Sequence, residues 1–130
     1  MRGAVALRQA WLTKDTLSDV AVYVIWSPQL GASEKNVADA STLIPDHRAR
    51  HYWDGEMLVG SAYRPLVRSA EAAWDTWMVF DKTATWHGDS VPRPAWWEHQ
   101  MSSGPPELML NAERWALHAM ALHDVNGGHR

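Results

Sequence analysis

The chain has 130 residues, 46% hydrophobic and 21% charged, with a formal net charge of −3. That size and balance describe one globular domain able to hold its own core, and exclude a disordered chain. The charge excludes the basic footprint that nucleic-acid binding needs, and the absence of cysteine excludes disulfides, thiolate metal sites and cysteine nucleophiles together.

Residues Met1 to Arg8 carry no apolar stretch long enough for a signal sequence, and no window approaches a membrane span, so a cytoplasmic chain without a membrane segment is expected. From Ala4 to Leu17 the residues Val5, Leu7, Ala10, Trp11, Leu12 and Leu17 recur at helical spacing. Val20 to Trp26 is an uncharged β-branched and aromatic run stopped by Ser27-Pro28, which predicts a strand buried on both faces. Ser33 offers a cap to a helix whose apolar stripe is Val37, Ala40, Leu43 and Ile44, ending at Pro45.

Ala49 to Trp53 reads as a second short strand. Asp54 then stands where it can cap a brief helix through Met57, Leu58 and Ala62 that Pro65 breaks. Trp74 to Phe80 alternates, and after Asp81-Lys82 a further run, Thr83 to Trp86, completes a predicted antiparallel hairpin. Ala95 to Met101 reads as a short helix or turn. Pro106 opens the last helix, in which Leu108, Ala112, Trp115, Ala119 and Leu122 recur at steps of four and three until Gly127-Gly128. The fold class is therefore α/β, a mixed sheet of about four strands covered by helices and ending in a C-terminal helix.

The segments Val22-Tyr23-Val24-Ile25-Trp26-Ser27-Pro28, Arg50-His51-Tyr52-Trp53-Asp54 and Ala73-Trp74-Asp75 through Phe80-Asp81 resemble a thioredoxin-like set of small proteins, over roughly residues 20 to 101. The resemblance implies a single thioredoxin-like domain, a parallel βαβ half followed by an antiparallel βα half. The family's first strand and Cys-x-x-Cys turn have no counterpart here, and Ala72-Ala73 stands where the family carries a cis-proline. Thiol–disulfide exchange requires a thiolate, so the chain is not an oxidoreductase of that kind.

Nine tryptophans against one phenylalanine is unusual, because each indole carries a donor that favours core edges, pockets and interfaces. Trp53-Asp54 and Trp74-Asp75 fall at strand ends, where α/β sheets place ligands, and two carboxylates among indoles are a candidate acid–base pair. The simpler expectation is that Asp54 caps a helix and Asp75 accepts an indole or backbone N–H. His47 and His51 lie about 13 Å apart if the segment is extended, too far for one ion, and no metal or cofactor is expected. Trp86-His87 and Trp96-Trp97-Glu98-His99 form a further aromatic and imidazole group, suited to a small apolar or cationic ligand.

Two functions follow. The first is a non-catalytic module engaged in homodimer or partner binding, since exposed strand edges tend to be paired or covered. The alternative is a small-molecule-binding protein or hydrolytic enzyme whose cleft is lined by His51, Trp53, Asp54, Trp74, Asp75, Trp97 and His99.

Overall fold

The computed structural model of the protein describes residues 4–5, 7–12 and 20–99, and shows mixed helices and strands with two small sheets. The chain divides into two units, Met1–Trp74 and Asp75–Arg130. The expected terminal helix from Pro106 to Gly127 lies outside the described residues, as do the Lys14–Leu17 end of the first helix and the break at Ser102–Pro105.

In the first unit, Leu7–Leu12 is helical but wound as a π-helix. Leu7 and Leu12 are both buried. Five residues apart on an ordinary helix they would point about 140° from each other, and the wider i→i+5 turn brings both towards the core. The uncharged run forms β1 (Val22–Trp26) and the second apolar segment forms β2 (Ala49–Trp53). They pair in parallel, with Val22 opposite Ala49 and Trp26 opposite Trp53.

A parallel pair needs a crossover connection. Residues 27–48 provide it through a 3₁₀ turn at Gln29–Gly31, another at Glu34–Asn36, and α1 (Val37–Ser41). Ser33 marks the start as expected, with its backbone N–H donated to Asn36 Oδ1 at 2.8 Å. Leu7, Leu12, Ala40, Ile44, Tyr63 and Val67 form this unit's buried core. Burial pushes the Tyr63 phenol pKa up.

The expectation that β1 is buried on both faces is corrected. Val22, Val24 and Trp26, with Ala49, His51 and Trp53, are half-buried on one face, whereas Tyr23, Ile25, Arg50 and Tyr52 are exposed on the other. Tyr23 is 60% exposed, Tyr52 46% and Ile25 38%. The two tyrosines stack across the strands, centroids 6.2 Å apart and planes 22° from parallel. A uniformly apolar run is compatible with one covered face or two, because the pleat alone decides which side chains share a face.

After β2 the chain turns into α2 (Leu58–Tyr63). Gly60 lies against the returning chain: Ala73 N–H donates to the Gly60 carbonyl at 2.9 Å. A methyl group at Gly60 would collide with the Ala73 carbonyl oxygen.

In the second unit, β3 (Thr76–Val79) pairs antiparallel with β4 (Trp96–His99), Thr76 opposite His99 and Val79 opposite Trp96. The hairpin is present, but its second strand is the segment expected as a short helix or turn, and Thr83–Trp86 is not a strand. Local polar chemistry explains the difference. The Asp81 carboxylate accepts from the backbone N–H of Thr83 at 2.8 Å and from the Thr83 hydroxyl, and the Asp81 carbonyl accepts from Ala84 N–H at 3.1 Å. This closes a turn directly after β3 and holds the Asp81 carboxyl below its ordinary pKa.

A second turn follows, in which His87 and Ser90 exchange backbone hydrogen bonds of 3.0 and 2.8 Å around Gly88 at φ +55°. Trp86 donates its indole N–H to the Gly88 carbonyl at 2.7 Å. The chain re-enters the ladder at Ala95, whose N–H donates to the Val79 carbonyl at 2.8 Å.

Candidate functional site

The candidate residues divide between the units: His51, Trp53, Asp54 and Trp74 in the first, Asp75, Trp97 and His99 in the second. In the first unit, His51 lies on the half-buried face of β2, two residues ahead of Trp53. The Trp26 indole N–H donates to His51 Nδ1 at 3.1 Å, and the two ring planes lie 12° from parallel. A nitrogen that accepts is unprotonated, so the ring proton sits on Nε2, which faces the Ile44 carbonyl at 3.3 Å. Both ring nitrogens therefore tie β1, β2 and the end of the crossover together. Trp26, absent from the sequence-derived set, is the residue that fixes the tautomer. Its position one pleat from the directly opposed Val24–His51 pair is visible only once the register is known.

Asp54 is buried and follows β2 directly. Its backbone N–H extends the ladder to the Trp26 carbonyl at 2.8 Å. Its carboxylate accepts from the N–H of Leu58 at 2.8 Å and of Val59 at 2.9 Å, one oxygen to each. This caps α2 from four residues ahead, because Met57 intervenes in a left-handed conformation, φ 56°. The arrangement sets each carboxylate oxygen against a backbone donor. The Trp53 indole occupies the space over Gly55, where a Cβ would stand 2.7 Å from its Nε1. Trp74, closing the unit, is exposed.

In the second unit the cross-strand register creates the cluster. Thr76 stands opposite His99 and Met78 opposite Trp97, so these side chains share one face of the hairpin. The Thr76 hydroxyl lies 3.2 Å from His99 Nδ1, and Asp75 Oδ1 lies 3.7 Å from the same nitrogen. Trp97 meets His99 edge to face, centroids 5.4 Å apart. Hydroxyl and carboxylate thus converge on one ring nitrogen, whereas a nucleophilic triad places them on opposite nitrogens. On the other face, Trp77 stands opposite Glu98, and its buried indole N–H has no hydrogen-bond partner among the described residues.

A polar feature outside the candidate set has the strongest electrostatics. Arg48 forks onto Asp46, Nε to Oδ1 at 2.9 Å and Nη2 to Oδ2 at 2.8 Å. Nη2 also donates to the Leu12 carbonyl at 2.9 Å. Hydrogen bonding from the Arg48 side chain holds the Asp46 carboxyl down at about 2, against an ordinary 3.8. The pair joins the start of β2 to the first helical segment, and the short Asp-x-Arg spacing is the signal that would have found it.

Among the described residues no group of three or more His, Asp or Glu side chains is placed to hold a metal ion, and no helix is long and apolar enough to cross a membrane. No protein-family model, curated protein or solved structure matches the chain.

Proposed function

We propose that the protein is a non-catalytic module of thioredoxin-like element order whose role is association with another protein chain, a copy of itself or a partner. The observation that carries this reading is the exposed face of the parallel pair, where Tyr23, Ile25 and Tyr52 lie side by side. Parallel strands are ordinarily covered on both faces, and a two-stranded sheet has little stability alone. Contiguous exposed apolar surface of this kind marks an interaction site. The element order is in keeping with the family reading: a parallel βαβ half, then an antiparallel hairpin.

The polar candidates fit a structural role better than an acid–base one. His51 has both nitrogens engaged, and Asp54 faces two backbone donors. The experiment is sedimentation velocity over a concentration series. Self-association that reverses on dilution supports the reading, and a strictly monomeric chain at micromolar concentration and above removes its homodimer form.

A second reading rests on the Asp75–Thr76–Trp97–His99 cluster, which joins an aromatic edge, an imidazole and a carboxylate on the hairpin. Such a group suits a small cationic or apolar ligand. A thermal-shift screen tests it, since a ligand that binds only the native state raises the melting temperature. A screen of cationic and aromatic metabolites in which no compound moves the transition ends this reading.

A further inference from the structure

We infer that the partner is a second copy of this chain, joined by antiparallel pairing of β1 with its own equivalent across a two-fold axis through Val24. The inference rests on the association reading above and names its partner.

It follows from where the β1 backbone points. Val22 N–H donates to the Arg48 carbonyl at 2.9 Å, and the Trp26 carbonyl accepts from Asp54 N–H at 2.8 Å. In a parallel ladder alternate residues direct both of their backbone groups to the same side. Val22, Val24 and Trp26 therefore face β2, and the N–H and C=O groups of Tyr23 and Ile25 face the opposite edge. Among the described residues no strand pairs with that edge.

Two such edges are self-complementary. With Val24 opposite Val24 of the second copy, Tyr23 falls opposite Ile25 and Ile25 opposite Tyr23. Residues directly opposed in this way exchange both backbone hydrogen bonds, so all outward groups of β1 are satisfied at once. The pairing sets an aromatic ring beside a β-branched side chain on the exposed face, a favourable cross-strand combination. It also extends the Tyr23–Tyr52 strip across four strands. Nothing along Val22–Trp26 opposes it: the strand has no charge, no proline and no glycine, the features that ordinarily protect an edge.

The test combines sedimentation of the full chain with amide hydrogen exchange read by NMR. The Val24 amide, bonded within one chain, should be protected at every concentration. The Tyr23 and Ile25 amides should gain at least ~10-fold in protection as concentration carries the protein from monomer to dimer. Ile25→Pro removes only an outward N–H, so it should keep the circular dichroism of the parent and sediment as a monomer. A dimer whose Tyr23 and Ile25 amides exchange at the monomer rate overturns the inference and leaves the association reading standing, with the face rather than the edge as contact. A chain that stays monomeric while those amides are protected, meaning an edge covered within one molecule, overturns the inference and the homodimer form of the association reading, leaving a different partner chain on the exposed face.

Discussion

Individual side chains in the first unit make sharply different demands on substitution. Gly60→Ala would ordinarily gain about 1 kcal/mol in a helix. Here the new methyl meets the Ala73 carbonyl oxygen and displaces the backbone bond from Ala73. Overpacking against backbone costs about 1–3 kcal/mol and a lost buried hydrogen bond about 1 more, so the variant should be about 2 kcal/mol less stable by thermal or urea unfolding. Asp54 separates capping from catalysis. Asp54→Ala should cost about 1–2 kcal/mol by stripping acceptors from the Leu58 and Val59 amides, and Asp54→Asn should recover part of the loss. A residue needed as a proton carrier would show the reverse, with both variants equally inactive and the asparagine form fully stable.

Among the elements, the Asp46–Arg48 fork makes stability depend on acid. The Asp46 carboxyl is held at about 2 in the folded chain against an ordinary 3.8. A depressed folded pKa gives stability that is complete above the unfolded value and is lost as pH falls towards the folded one. The expected loss therefore lies between about pH 4 and pH 2. Its size is at most about 2 kcal/mol, reduced because the pair keeps some contact with water. Asp46→Asn should flatten that limb in a pH series of urea midpoints while lowering stability at neutral pH.

Sequence pattern reveals the elements whose determinants are local. β2, the α2 cap at Asp54 and the Ser33 start were legible because each depends on neighbours a few residues away. The second hairpin strand was not, since the Asp81–Thr83 turn removes Thr83–Trp86 from the ladder and Trp96–His99 returns to β3 only after a long connection. Likewise His51 and Asp54 were recognisable as polar residues at strand positions, but the Trp26 and Thr76 partners depend on register, which one-dimensional periodicity does not carry.

For the molecule as a whole, chemistry and association give separate expectations. With no cysteine anywhere in the chain, insulin reduction in the presence of dithiothreitol should proceed at the protein-free rate. Six methionines do not alter this, because a thioether has no ionisable proton and forms no disulfide. Activity that tracks the purified chain would contradict it, and mass spectrometry of the active fraction would reveal any contaminating oxidoreductase. If copies pair along β1, Trp26 falls opposite Val22 of the second copy, and acrylamide should quench tryptophan fluorescence more strongly after dilution than before. Quenching independent of concentration would place the indoles away from any contact between copies.

Leu30 sits at φ 55° with 91% of its surface in water. A branched residue in that conformation stores about 1–2 kcal/mol that asparagine, which tolerates it, would release in part. Leu30→Asn should therefore raise the melting temperature, since almost no buried surface is lost with the side chain. The folded chain thus holds tension at the C-terminal end of its parallel strands, in a backbone that would relax on substitution and a side chain that would relax on being covered. A variant chosen for heat resistance therefore gives up the most exposed large apolar side chain among the described residues of this unit.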